Sequence, residues 1–105
     1  MQAVIFEVEM KPGREKDYFA LASSLRPQLE AIDGFISVER FQSVSDEGKY
    51  VSLSFWRDEE AVKSWREHAE HRIAQAQGKE TIIADFRIRV AEVVRDYTLA
   101  DSELK

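Results

Sequence analysis

The apolar residues of this chain change their spacing several times along the sequence, and the order of those spacings limits the possible folds. Residues 3–10, 35–44, 50–56 and 86–94 alternate apolar and polar side chains, which is typical of β-strands with one covered face. After the first and the third of these segments, apolar residues recur every three or four positions, which is typical of amphipathic helices. The predicted order is strand, helix, strand, strand, helix, strand.

This order of elements predicts a ferredoxin-like α+β fold. Two split β-α-β units form one four-stranded antiparallel sheet with both helices on one face. A chain of 105 residues is long enough for one such core but not for two. We therefore predict a single domain over residues 1–105, with residues 100–105 as a flexible tail.

The ends of the two predicted helices carry recognisable signals. Asp33-Gly34 is typical of a helix C-terminus, so the first helix should end there. Asp58 can cap the N-terminus of the second helix, whose apolar side includes Trp65. We expect residues 67–71 to interrupt this helix, and its second part to end at Gly78.

The face of the sheet that the helices leave open needs another partner. Aromatic side chains mixed with charged ones are typical of an interface. The last strand alternates over residues 86–94, and its expected full length of about fourteen residues is more than a small sheet needs. The sequence therefore predicts a homodimer in which two sheets meet face to face. The residues assigned to this face are Ile5, Glu7, Phe35, Glu39, Phe41, Tyr50, Ser52, Ser54, Trp56, Arg87, Arg89 and Val93.

The composition excludes several functional classes. A net charge of -5 argues against nucleic acid as a partner, because phosphate backbones bind to basic surfaces. The absence of cysteine excludes disulfides and thiolate-bound metals and fits a cytoplasmic location. No apolar stretch is long enough to span a membrane, and the glycines form no phosphate-binding loop, so no nucleotide cofactor is predicted.

Two pairs of polar residues offer candidate chemistry. His68 and His71 could transfer protons, since imidazole titrates near neutrality. They could also bind a metal, but their spacing differs from H-E-x-x-H, and solvated or capping histidines are ordinary at a helix break. Arg87 and Arg89 could hold an anionic substrate, or they could pair with glutamates on neighbouring strands.

Taken together, the layout resembles the antibiotic biosynthesis monooxygenase family of dimeric α+β barrels over nearly the whole chain. The resemblance is carried by Gly34-Phe35, by the segment SLSFWRDEEA at 52–61, and by Trp65 on the following helix. The segment EHAEHRIAQAQG at 67–78 and the strand FRIRVAEVV at 86–94 continue it.

The resemblance implies a pocket between the helices and the sheet, and an oxygenase that oxidises a phenol or quinol without a cofactor. Trp65 is then the main candidate for a catalytic role, although simple core packing also explains a tryptophan on an apolar helical face. His71 and His68 are the candidates for taking a proton from the substrate. The expected substrate-binding residues are Phe6, Phe19, Leu53 and Phe55.

Two alternatives stay open within the same resemblance. The heme-degrading branch uses an asparagine on the first strand, a tryptophan on the second helix and a histidine that ligates iron. Trp65 matches, but Phe6 stands at the asparagine position and Ala74 or Gln75 at the ligand position, so heme is not predicted. The other alternative is a non-catalytic dimeric module that binds a small ligand, since a fold does not fix a function.

Overall fold

Four alternating segments of the chain form one antiparallel sheet in the computed structural model, which describes residues 1–77 and 82–101. The sheet has the spatial order β2-β3-β1-β4 and all its strand pairs are antiparallel, as predicted. The elements in chain order are β1 (Gln2–Met10), α1 (Glu15–Glu30), β2 (Phe35–Gln42), β3 (Lys49–Trp56), α2 (Glu59–Gln77) and β4 (Ile83–Glu92).

The length of β4 and the continuity of α2 differ from the predictions. β4 has 10 residues and not about fourteen, because the chain leaves the sheet after Glu92. The helix α2 continues through residues 67–71, where a break was expected. The predicted helix end at Gly78 and residues 102–105 of the predicted tail lie outside the described residues.

Local contacts explain why α2 is not interrupted. Ala69 is buried four residues after Trp65, so the apolar stripe continues through the segment. Arg66 Nε lies 2.9 Å from Glu70 Oε1, an ion pair across one helical turn. The Nδ1 atom of His68 lies 3.0 Å from the carbonyl oxygen of Ser64, which is also compatible with an intact helix. The histidines therefore stand on a regular helix.

Both helices cover the same face of the sheet. Val4 and Phe6 of β1 point to this face, and each belongs to a cluster of buried residues. The first cluster contains Val4 and also Trp65 of α2, and the second contains Phe6 and also Tyr18 of α1. The remaining buried members of the first cluster are Leu29, Trp56, Ala61, Val62 and Ala69, and those of the second are Val8, Met10, Ile82 and Ile83. The core thus consists of two clusters side by side.

The strand register corrects the predicted faces of β3. Ser54 lies opposite Val4, and Ser52 opposite Phe6, so these serines share the helix-covered face. Trp56 has no exposed surface, and its indole Nε1 donates to Ser54 Oγ at 2.9 Å. The assignment of Tyr50, Ser52, Ser54 and Trp56 to the open face was wrong. Both sides of β3 carry apolar residues, so alternation alone did not fix its orientation.

Phe35 also belongs with the covered side. Its ring meets that of Trp56 edge-on, with centroids 5.4 Å apart, and it packs against the first cluster. The register of β2 against β3 is irregular between Phe35 and Ser37. Because an extra residue in a strand reverses the alternation, counting from Phe41 back to Phe35 assigned Phe35 to the wrong face.

The open face carries the remaining alternate side chains of the sheet. Glu7 and Arg89 form an ion pair across β1 and β4 at 3.3 Å, as predicted for the strand glutamates and arginines. Phe41 is 47% exposed on this side, in register with Val51. Ile5, Glu7, Glu39, Phe41, Arg87 and Arg89 were correctly assigned to it, and Ala3, Val51, Leu53 and Phe55 join them.

A polar clamp joins the end of α1 to the start of α2. Asp58 Oδ1 accepts a hydrogen bond from the Ala61 backbone N–H at 3.0 Å, which confirms it as the N-cap of α2. The guanidinium of Arg57 donates to both carboxylate oxygens of Asp33 at 3.1 Å and to Asp58 at 2.9 Å. Between these groups lies Gly34, whose φ of 97° is unfavourable for other residues.

Replacing Gly34 with alanine should destabilise the protein more than the same change at Gly13. Both glycines have positive φ, which costs an alanine about 1–2 kcal/mol. A Cβ at Gly34 would also lie 2.7 Å from the Ala61 Cβ, whereas a Cβ at Gly13 would meet nothing within 4 Å. Urea denaturation should show a loss of about 2 kcal/mol or more for Gly34→Ala. Equal losses in the two variants would contradict the close approach of Gly34 to α2.

The clamp should also make stability depend on acid pH. Hydrogen bonding to Arg57 lowers the pKa of Asp33, and the Ala61 N–H, followed by Arg57, lowers the pKa of Asp58. A carboxyl group with a depressed folded-state pKa stabilises the fold above its ordinary value of 3.8, and this contribution is lost as the pH falls through the folded-state value. Wild type should therefore be more stable than Arg57→Gln at neutral pH.

The difference in the free energy of unfolding between these two proteins should shrink as the pH falls below 3.8. Urea denaturation at several pH values measures it. A difference that stayed constant with pH would show that Arg57 acts through packing and not through its two carboxylate partners.

Candidate active site

A cavity of about 110 Å³ lies between the helices and the covered face of the sheet. It has walls from both core clusters, because Trp65 belongs to one of them and Phe6 to the other. Its lining residues are Tyr18, Leu21, Ala22, Leu25, Arg26 and Leu29 of α1, Trp65 and Ala69 of α2, and Phe6, Val38, Glu39, Arg40, Ser52 and Ile83 of the sheet. The cavity is therefore apolar over most of its walls, with a few polar groups.

Trp65 and Phe6 form the inner wall. Trp65 is 5% exposed and Phe6 is 9% exposed, so both are held by packing. The helical spacing of Ala61, Trp65 and Ala69 directs the indole towards the sheet. Among the described residues, no acceptor is hydrogen-bonded to the indole N–H of Trp65. A buried N–H without a partner is unfavourable, so a hydrogen-bond acceptor that reached this donor would stabilise the site.

A cluster of aromatic rings lies beside the outer end of the cavity, where Tyr18 and Arg40 form the wall. The rings of Phe19 and Tyr50 meet edge-on with centroids 5.3 Å apart, and the Tyr18 ring lies 6.2 Å from that of Tyr50. The Arg40 guanidinium carbon lies 5.6 Å from the centroid of Tyr18 and 5.7 Å from that of Phe19. Burial raises the pKa of the Tyr18 hydroxyl, although the charge and hydrogen bond of Arg40 oppose the shift. Tyr18 therefore stays protonated at neutral pH.

A second recess lies on the other side of Trp65. It encloses about 180 Å³ between α2 and β4, and its walls include Phe6, Trp65, Phe86 and Ala74. Ala74 stands at one of the positions where the heme-degrading branch would place its iron ligand. Its side chain has no atom that can bind iron. Within residues 1–77 and 82–101, no three histidine or acidic side chains cluster in a way that could hold a metal ion.

The structure brings together two of the predicted site residues. Trp65 and Phe6 both line the cavity, as expected. Phe19 belongs to the aromatic cluster at the outer end but is not among the cavity walls. Leu53 and Phe55 were placed in the pocket wrongly: Leu53 pairs with Ile5 and Phe55 with Ala3, on the open face. The inverted orientation of β3 caused this error.

The two histidines lie outside the cavity. His68 and His71 are exposed, and neither forms part of the walls. On a helix, residue 71 is about one third of a turn away from the side of Trp65, so an unbroken α2 directs its ring outwards. The proton-transfer role proposed for both residues therefore has no support from their position.

Five polar residues line the cavity without having been predicted as site residues: Tyr18, Arg26, Glu39, Arg40 and Ser52. Tyr18 lies among the apolar residues of α1, and this spacing indicates only core packing. Ser52 was assigned to the opposite face with the rest of β3. Arg40 alternates with Glu39 and shares a side of β2 with Val38, which is the signal that places it towards the helices.

Comparison with known proteins identifies the family. The sequence profile described as antibiotic biosynthesis monooxygenase matches residues 1–77. This chain belongs to the antibiotic biosynthesis monooxygenase family. The Bacillus subtilis protein YcnE is 31% identical to it over 81 residues, which are 77% of this chain and 85% of YcnE. The resemblance predicted from the sequence is thereby confirmed.

A fungal relative is more similar in sequence but much longer. The jasmonate monooxygenase ABM of Pyricularia oryzae is 45% identical over 93 residues, which are 89% of this chain and 43% of the relative. This member of the family therefore spans less than half the length of that protein.

Solved structures show the same fold. A Mycobacterium tuberculosis protein superposes with a TM-score of 0.76 at 21% identity, covering 92% of this chain and 98% of its own. A structure described as antibiotic biosynthesis monooxygenase gives a TM-score of 0.73 at 18% identity. The superposition covers 90% of this chain and 100% of the other chain. They support the ferredoxin-like α+β assignment.

In the part of the chain that the structure describes, neither helix has the length and apolarity needed to cross a membrane.

Proposed function

We propose that this chain is a monooxygenase that oxidises a small phenol or quinol bound beside Trp65. The observation that carries the proposal is the apolar cavity between the helices and the sheet, walled by Phe6 and Trp65. Membership of the monooxygenase family and the name of the fungal relative support the reaction type. Flat aromatic walls suit a ring-shaped substrate, because ring faces and edges pack favourably against one another.

A substrate of this class makes the reaction possible without a protein-bound cofactor. A phenolate can itself donate an electron to molecular oxygen. One oxygen atom then enters the product, and the second leaves as water with two hydrogens taken from the substrate. The protein has to orient the ring, stabilise its deprotonated form and exclude water. Phe6 and Trp65 are suited to the first and third tasks, since both are buried and held by packing.

A non-catalytic binding module is the second candidate function. The observation that favours it is the position of His68 and His71, both of which are exposed and outside the cavity walls. A cavity without a histidine can bind a ligand but needs another way to deprotonate a phenol. Oxygen consumption separates the two candidates, because a binding module leaves dissolved oxygen unchanged.

Filling the cavity should abolish the reaction while leaving the fold intact. Ala22 lies in the cavity wall on α1, and Ala22→Phe adds a ring where the substrate is proposed to bind. Ala20 is exposed on the same helix, so Ala20→Phe makes the same change outside the cavity. With a panel of quinols and an oxygen electrode, Ala22→Phe should lower oxygen uptake by about tenfold or more, and Ala20→Phe should leave it near wild type.

Two further variants refine this test. Trp65→Phe keeps an aromatic wall but removes the indole N–H, and should lower the rate less than Ala22→Phe does. His71→Ala should have little effect, because His71 lies outside the cavity walls. If wild type takes up no oxygen with any quinol but binds them, the protein is a binding module. If Ala22→Phe retains full activity, the reaction does not take place in this cavity.

We also propose that the open face of the sheet is covered by a second copy of the chain. This side of the sheet has apolar surface. It carries Phe41, which is 47% exposed, and the side chains of Ile5, Leu53 and Phe55. The Glu7–Arg89 pair on the same face could satisfy its charges within one protomer. A self-complementary face of this composition is typical of two-fold homodimers.

A charge at the centre of this face should dissociate the dimer. Leu53→Glu would place a carboxylate on the apolar part of the face, opposite its symmetry-related copy or close to it. Val44 is an exposed apolar residue of the β2–β3 loop, so Val44→Glu is the matched control. In sedimentation velocity at micromolar concentration, wild type and Val44→Glu should sediment as dimers and Leu53→Glu as a monomer. A monomeric wild type would refute the proposal.

A further inference from the structure

Arg40 brings to the cavity a positive charge that the protein does not neutralise. Among the described residues, no carboxylate forms an ion pair with Arg40, although the chain has 20 acidic residues against 15 basic ones. The other arginine of the cavity, Arg26, is paired with Glu30 at 3.1 Å. The adjacent Glu39 is in register with Leu53, so strand alternation directs its carboxylate to the open face.

The guanidinium of Arg40 lies over two aromatic rings, within the range of a cation–π interaction. Its central carbon lies 5.6 Å from the ring centroid of Tyr18 and 5.7 Å from that of Phe19. A cation–π interaction depends on the charge of the guanidinium, which also carries five N–H donors. The contact with the rings therefore orients the group without using all its hydrogen-bond donors.

One row of side chains on the covered face of the sheet runs under the cavity and beyond it, and changes from polar to apolar. The strand register aligns Arg40 of β2 with Ser52 of β3, Ser52 with Phe6 of β1, and Phe6 with Ile88 of β4. This single row crosses the sheet from a cation through a hydroxyl to an aromatic and an aliphatic side chain. A molecule bound along the row has its polar end defined by Arg40 and its apolar end by Phe6 and Trp65.

From this arrangement we infer that Arg40 binds an anionic oxygen of the substrate, and that the cavity selects ring-sized apolar molecules that carry one such group. The inference rests on the proposed function in taking the cavity as the substrate site. The anionic oxygen is a phenolate or a carboxylate, both of which accept hydrogen bonds from a guanidinium. The charge of Arg40 lowers the pKa of a phenol bound in this way, and because Arg40 is exposed, the phenol can release its proton to solvent at this end, so no histidine is needed in the cavity walls.

Matched pairs of charged and neutral ligands test the role of Arg40. The phenolate pair is 4-nitrophenol, at a pH where it is ionised, with 4-nitroanisole; the carboxylate pair is 1-naphthylacetate with its methyl ester. Isothermal titration calorimetry measures each Kd for wild type, Arg40→Gln and Arg40→Lys. Arg40→Gln should weaken binding of the charged member by about tenfold and that of the neutral member by less than about twofold. Arg40→Lys, which keeps the charge, should recover part of the loss.

Two control variants separate a local contact from the overall field of the protein. Lys16→Gln makes the same change in net charge at an exposed position of α1 outside the cavity walls, and should leave the charged ligands bound as in wild type. Arg26→Gln removes an arginine that already has a partner, so its effect should be smaller than that of Arg40→Gln. Near-ultraviolet circular dichroism of each variant checks that the aromatic packing is retained.

The possible outcomes divide clearly. A loss confined to the phenolate pair or to the carboxylate pair supports the inference and names the substrate group. Equal losses of affinity for the charged and the neutral member mean that Arg40 only supports packing, which overturns the inference. No loss of affinity in either pair also overturns it, and so does a wild type that binds none of the probes. The measurement uses no turnover, so an Arg40-dependent preference without oxygen uptake would reject the proposed oxygenase and leave the inference standing.

Discussion

The cavity depends on how the two helices rest on one face of the sheet. Two groups of buried side chains hold the helices: the group around Trp56 and Trp65 contains residues of α2 and also Leu29 of α1, and the group around Val8 contains Tyr18 of α1. Large rings in both groups set the distance between helices and sheet, and small side chains such as Ala22 and Ala69 leave space between them. A core built only from medium-sized aliphatic residues would close this space, so the candidate site results from the sizes of the side chains.

Much of the fold could be predicted from the sequence, because the spacing of apolar residues reflects the geometry of each element. The order of the elements, the covered side of β1 and the N-cap at Asp58 are confirmed, whereas α1 ends at Glu30 with Ala31 as its cap, before the predicted end at Gly34. The orientation of β3 was not predictable in this way. One side of β3 carries Val51, Leu53 and Phe55, and the other carries Tyr50 and Trp56. Both sides carry apolar residues, so only the pairing with β1 shows which side faces the helices.

The candidate site was less predictable than the fold. Trp65 and Phe6 were identified through the family resemblance, and both line the cavity. Three further residues come from different elements: Arg40 from β2, Tyr18 from α1 and Ser52 from β3. They lie close together only because of the long-range strand register and packing, which no local sequence pattern indicates. The histidines were selected for their chemistry, yet the direction of each ring depends on whether α2 is continuous, and that is decided by the burial of Ala69.

The alternation along β2 assigns neighbouring residues to separate tasks. Glu39 and Arg40 are adjacent in the chain and both border the cavity, but alternation directs the side chain of Glu39 to the open face and that of Arg40 to the covered face. The proposed dimer interface therefore draws on the side chains at the odd-numbered positions from 37 to 41, and the proposed ligand site on those at 38 and 40, so the two proposals can be tested separately on one strand. An insertion of one residue in this strand would exchange the two sets of side chains and disturb both properties at once.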